Sequence, residues 1–258
     1  RVPVSIVAVD NQGKRVSSEF VLARTVAEPP AQGADTAQPA APEIPPLEFG
    51  NYHALVIGID DYRHLPRLRT AVNDANAVAD LLAQRYGFDV VKLLNPTRYD
   101  ILSALNAMRE NLTSADNLLI YYAGHGELDR VNMRGHWLPL DAEPDNPANW
   151  ISNVAVTDIL NIINARGLLV VADSCYSGSL TRSALTQLDG KLTEDEQVTW
   201  LKTMLRKRSR TVLTSGGLKP TLDEGGGEHS VFADALLEVL ASNDGLLSGL
   251  NLYRAVSA

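Results

Sequence analysis

One cysteine among 258 residues is too few for an internal disulfide, so cysteine usage neither demands an oxidising compartment nor excludes one. No apolar run approaches the roughly 20 residues of a membrane-crossing helix, so no membrane span is expected. Lys and Arg number 23 against 31 Asp and Glu, a formal net charge of -8. That balance opposes a sequence-independent grip on phosphates, and nucleic acid is not an expected partner. The chain opens at Arg1 with no signal-like segment, the start expected of a cut or processed fragment, which leaves its compartment unknown. What is present, 45% hydrophobic and 21% charged residues, suffices for one sizeable core with an appended piece.

The organisation follows from punctuation. Two short β-prone runs, Val4 to Val9 and Phe20 to Ala23, flank a turn-rich Asp10-Asn11-Gln12-Gly13-Lys14, so residues 1–27 are expected to form a β-hairpin or the tail of a preceding β domain. Residues 28–48 are rich in Ala and Pro, the composition of an extended linker. From residue 49 to 258, buried-type strands alternate with amphipathic helices. Strands are expected at His53 to Ile59, Val90 to Leu94, Asn117 to Tyr122, Leu168 to Ala172 and Thr211 to Ser215. Helices are expected at Ala71 to Tyr86, Arg98 to Asn111, Val156 to Asn164 and Ser230 to Ala241. Near-continuous apolar strands between helices imply an α/β fold, a three-layer α/β/α sandwich with a mostly parallel sheet.

Two of these strands end in chemistry. The single thiol, Cys175, follows Val170-Val171-Ala172-Asp173-Ser174, and His125 lies between Gly124 and Gly126 after Leu118-Leu119-Ile120-Tyr121-Tyr122-Ala123. In a parallel sheet the carboxyl ends of neighbouring strands share one edge, so the two tips can meet. A thiol and an imidazole at one edge are the parts of a cysteine hydrolase.

With Ala71-Val72-Asn73-Asp74-Ala75 opening the first helix and His229-Ser230-Val231-Phe232-Ala233 near the end, the chain from about Asn51 onward resembles the caspase-like cysteine peptidases (clan CD, peptidase C14), in their bacterial metacaspase or orthocaspase form. Cys175 follows His125 by 50 positions, the interval known for caspases. The resemblance implies a Cys/His dyad. Cys175 is the nucleophile, His125 activates the thiol and protonates the leaving amine, and the N–H groups of Gly126 and Cys175 face the oxyanion. It also implies that Asp74 and Asp173 read a basic residue, Arg before Lys, on the amino side of the scissile bond (P1), with Ser215 beside that pocket. The competing roles are a helix cap for Asp74, a strand-tip turn for Asp173 and an ordinary strand end for Thr214-Ser215-Gly216. The resemblance further implies protein or peptide substrates and a monomer. A catalytically silent caspase-like scaffold is the alternative.

Other features were weighed. Asp60 and Asp61 are read as solvated loop carboxylates. The basic segment from Leu180 to Arg210 is either a site of self-processing or a helix from about Glu194 to Lys207 with a solvated basic end. Some metacaspases use calcium. Here Asp141 and Asp158 fall near the relevant positions but Thr157 and Arg182 replace further acids, so no cofactor and no calcium requirement are expected. His125, His136, His229 and Cys175 match no zinc spacing, so no metal site is expected. His136 and Trp137 are expected to pack. Ser230 is an expected N-cap, and Gly225-Gly226-Gly227 lacks the Lys-Ser/Thr ending of a phosphate loop.

Overall fold

In the computed structural model, described residues are 5–8, 21–23, 50–129, 134–174, 209–215 and 227–256. Among them, six strands form the main sheet: β1 (Ser5–Ala8), β3 (Asn51–Gly58), β4 (Asp89–Leu94), β5 (Asp116–Ala123), β9 (Gly167–Asp173) and β10 (Ser209–Thr214). Their order is β1-β10-β9-β5-β3-β4. All pairings are parallel except that of β1, which runs antiparallel to β10. The chain moves outward from β3 to β4, then crosses back to place β5 on the other side of β3. That reversal creates a crevice at the carboxyl ends of β3 and β5, the usual ligand position in such sheets.

Helices cover both faces. Along β5, Leu119, Tyr121 and Ala123 face one layer while Leu118, Ile120 and Tyr122 face the other, as the period of two dictates. The first layer holds α1 (Ala71–Tyr86), α4 (Val231–Ser242) and α5 (Gly249–Val256). The second holds α2 (Arg98–Asn111) and α3 (Asn153–Ile162). The expected α/β/α sandwich is therefore observed. The stripe on α1 comprises Ala71, Ala75, Val78, Ala79, Leu82 and Tyr86, and one charged residue, Asp74, is buried among them. The helix ends at Gly87, whose φ of 69° is a left-handed cap that glycine adopts without Cβ strain. Its amino end lies so close to β3 that a Cβ on Gly58 would stand 2.5 Å from the Ala71 carbonyl oxygen and 2.6 Å from Ala75 Cβ.

Several elements depart from the sequence reading. The amino-terminal strands do not pair with each other as a hairpin. Strand β1 extends the main sheet through β10, and β2 (Val21–Ala23) pairs antiparallel with β11 (Leu246–Ser248). Helix α3 begins at Asn153, three residues before its expected start, because the Ser152 side chain accepts the Ala155 N–H. A small antiparallel sheet was not anticipated: β6 (Gly126–Asp129), β7 (Arg134–Trp137) and β8 (Ile151–Ser152). The linker at 28–48, the helix expected from Glu194 to Lys207, and Gly225 and Gly226 lie outside the described residues.

Candidate active site

His125 follows β5 directly at the crevice. The turn carrying it is tight: a Cβ on Gly124 would lie 2.8 Å from the Tyr62 hydroxyl and 2.9 Å from that of Tyr122, so only glycine fits. The His125 N–H donates to the Tyr62 hydroxyl at 2.7 Å, and the Tyr62 ring lies against the imidazole with centroids 4.7 Å apart. The His125 carbonyl accepts from the Tyr122 hydroxyl at 2.7 Å and from the Leu138 N–H at 3.1 Å. Tyr122 itself stacks on Trp137 at 4.4 Å, so Trp137 packs as expected. His136 packs edge-on to Trp150.

Imidazole Nε2 of His125 lies 2.8 Å from the carbonyl oxygen of Pro66. A carbonyl can only accept, so Nε2 carries a proton and Nδ1 is left as the basic nitrogen of the neutral ring. The Pro66 carbonyl therefore fixes the tautomer with a backbone atom, a role that no residue type in the sequence advertises. Gly126 opens β6 opposite Trp137. Because the adjacent His125 carbonyl bonds Leu138 N–H, Gly126 falls in a non-hydrogen-bonded pair and its own N–H points away from β7. Cys175 lies outside the described residues, two positions beyond the last residue of β9.

The acidic residues converge on the α1 and α4 side of the same edge. By alternation along β9 and β10, Asp173 and Ser215 share the face of Val171 and Leu213, which belong to the core under α1 and α4. Asp74 enters that space from α1 and is 1% exposed. Its Oδ1 lies 2.7 Å from Nδ1 of His229, its Oδ2 accepts from the Ser230 N–H at 3.3 Å, and the Thr70 side chain bonds it as well. Asp173 Oδ2 accepts from Ser230 Oγ at 2.5 Å. Burial drives the Asp74 carboxyl up from 3.8 to about 6. The bonds from His229, Thr70 and Ser230 oppose that rise, and the charge of Asp173 adds to it. The Asp74 carboxylate is thus spent on α4 and the loop before it, beyond any capping of its own helix.

Two further polar atoms line this side. Ser215 Oγ and Tyr121 Oη are buried and have no hydrogen-bond partner among the described residues. Burial first, then the charges of Asp173 and Asp74, hold the Tyr121 phenol well above its ordinary value, so it stays a neutral hydroxyl. Both hydroxyl oxygens lie on the same sheet face as the two carboxylates.

Asp60 is not a solvated carboxylate: it is 8% exposed, and its Oδ1 accepts the Val72 N–H, capping α1 where the side chain of Thr70 does not. Asp61 is exposed and pairs with Arg67 at 2.9 Å. Asp141 Oδ1 accepts the Arg98 N–H at the head of α2, Thr157 bonds the Asn153 carbonyl, and Arg182 lies outside the described residues. No group of three His, Cys, Asp or Glu side chains among the described residues is arranged to hold a metal ion.

Comparison with known proteins agrees with this fold. The family model Peptidase_C14, Caspase domain, matches residues 51–258. Metacaspase-1 of Eremothecium gossypii is 30% identical over 152 residues, covering 50% of this chain and 32% of the relative. Metacaspase-6 of Arabidopsis thaliana is 29% identical over 158 residues, covering 52% and 40% respectively. The chain thus spans about a third to two fifths of the length of these curated relatives. The solved structure of a Geobacter sulfurreducens protein superposes with a TM-score of 0.57 at 18% identity, over 80% of this chain and 88% of the other, a likeness of fold.

Proposed function

The chain belongs to the caspase-domain family of peptidases, and from that premise we propose that it is a cysteine endopeptidase cleaving after Arg and, less readily, Lys. The carrying observation is the acidic pair Asp74 and Asp173 at the sheet edge that also holds His125. In the proposed reaction Nδ1 of His125 takes the thiol proton of Cys175, and the thiolate attacks the carbonyl carbon of the scissile bond. The N–H groups of Gly126 and Cys175 stabilise the oxyanion. His125 then passes its proton to the leaving amine as the C–N bond breaks, and water hydrolyses the thioester. The dyad needs no metal. A guanidinium has five N–H donors against three on an ammonium, and the unsatisfied oxygens of Ser215 and Tyr121 beside the carboxylates favour the larger set.

Basic residues in the segment from Leu180 to Arg210 fit this specificity, so self-processing there accompanies the proposal. The test is hydrolysis of matched fluorogenic peptides with Arg, Lys or Asp at P1, with and without calcium, against a Cys175→Ala blank. Turnover after Arg that vanishes in the blank supports the reading. A preference for Asp overturns the acidic pocket, and no turnover by intact or nicked protein favours a silent scaffold. An intact Cys175→Ala protein beside a nicked wild type would identify self-processing.

A further inference from the structure

The dipeptide His229-Ser230 supplies a donor to both pocket carboxylates at once. Nδ1 of His229 lies 2.7 Å from Asp74 Oδ1, the Ser230 N–H reaches Asp74 Oδ2, and the Ser230 hydroxyl gives its proton to Asp173 Oδ2. Ser230 Oγ in turn accepts the Ala233 N–H as N-cap of α4, which fixes its lone proton toward Asp173. His229 is anchored from α1 as well, because Asn73 Nδ2 donates to the Glu228 carbonyl next to it and lies 3.4 Å from the ring. Two like charges in a buried space repel and shed their ionisation unless donors hold them. Among the groups facing Asp74, Thr70, His229 and Ser230 favour its charge and Asp173 opposes it.

We propose that His229 is a specificity-determining positioning residue, the forward half of a His229-Ser230 clamp that keeps the Asp74 carboxylate ionised and aimed so that a P1 guanidinium is bound. The inference rests on the arginine-directed reading above. His229 touches the pocket acid and acts through it; its hydrogen-bond partners among the described residues are Asp74 and Asn73, not His125.

The test uses the whole chain, with agmatine as a guanidinium probe and P1-Arg peptides as substrate. For His229→Ala, the KM for P1-Arg and the inhibition constant of agmatine rise about tenfold, the scale of a lost hydrogen bond to a charged group, while kcat changes less than about twofold. The acid limb of agmatine binding moves to higher pH, because a bond that lowers the Asp74 pKa has gone. His229→Asn places an amide N–H where Nδ1 stands and restores both readouts, whereas His229→Gln places it at Nε2 and does not. If the alanine variant fails to fold, the Asn and Gln pair carries the comparison, and agmatine titration of each on a Cys175→Ala background needs no turnover. Unchanged or tighter agmatine binding in His229→Ala or His229→Gln, or a loss confined to kcat, overturns the proposal. Wild type that ignores P1-Arg, or cleaves it equally well as Asp74→Asn, overturns the arginine-directed reading and this inference with it. Dependence on Asp74 without dependence on His229 overturns this inference alone.

Discussion

Replacing Asp74 by Asn should stabilise the protein while destroying its affinity for arginine. The carboxyl is 1% exposed and titrates near 6 in place of 3.8. A raised carboxylate pKa means the folded state prefers the neutral form. Its unfavourable contribution is therefore absent below pH 4, develops as pH rises from 4 to 6, and is complete above that. The shift corresponds to about 3 kcal/mol at pH 8. Asparagine removes the charge but turns an N–H2 toward donors, at a cost of about 1 kcal/mol. The net gain of about 2 kcal/mol should raise Tm by roughly 4 to 8 °C in a domain of this size. Calorimetry at pH 8 and pH 4 on a Cys175→Ala background, which removes self-cleavage, reads the gain and its disappearance in acid. In the active background, kcat/KM for P1-Arg should fall by about two orders of magnitude or more, as for a truncated buried charge pair. A lower Tm for Asp74→Asn at pH 8 would refute the reasoning, since it would mean that His229 makes the ionised carboxylate a net stabiliser.

Three further outcomes are expected. Agmatine binding to wild type should weaken about tenfold per pH unit below the Asp74 pKa of about 6, and a flat profile from pH 5 to 8 by calorimetric titration would remove Asp74 from the pocket. Tyr62→Phe strips the acceptor from the His125 N–H, so it should cost about 1 to 3 kcal/mol of stability by urea unfolding and lower kcat with KM unchanged; undiminished kcat would show that Tyr62 does not position the imidazole. Deleting residues 1–9 bares the outer edge of β10, which β1 covers, and should give concentration-dependent association by light scattering relative to the intact chain.

The elements most legible in the sequence were those whose burial is complete. Strand β5 is buried at all eight positions and β9 at six of seven, so Leu118 to Ala123 and Leu168 to Ala172 read as apolar runs, and α1 announced itself through its stripe. Short pieces were illegible for the opposite reason. Gly126-Glu127-Leu128-Asp129 has too few apolar residues to signal β6, and the true partners of β1 and β2 lie some 200 residues downstream, beyond any local pattern. In the site, His125 stood out through the glycines around it, and Asp74 only through the family resemblance, since a helix cap explained it equally well locally. Pro66 contributes a carbonyl, which every residue has. His229 contributes through a partner 155 positions away, and its local context suggested only the residue before a cap. Asp60 resembled any loop acid because the N–H it satisfies belongs to a helix that begins eleven residues later.

On the proposed reading, Asp173 explains why selection and catalysis would share this edge. Its main-chain carbonyl accepts the Gly124 N–H at 3.3 Å, holding the turn that presents His125, while its side chain accepts the Ser230 hydroxyl on the opposite side. In sequence it stands two residues before Cys175, so on the proposed reading one residue would serve the nucleophile's strand, the base and the acidic pocket. A buried acid beside a second, half-buried one is a poor way to stabilise a fold, as the raised Asp74 carboxyl shows. Such a pair becomes favourable when a cation enters, because the guanidinium relieves the repulsion and supplies the missing donors together. On the arginine-directed reading, that relief would occur beside the strand that leads on to Cys175. Neutralising Asp173 while keeping its backbone would therefore separate the two functions, leaving the Gly124 turn in place and the pocket without its second charge.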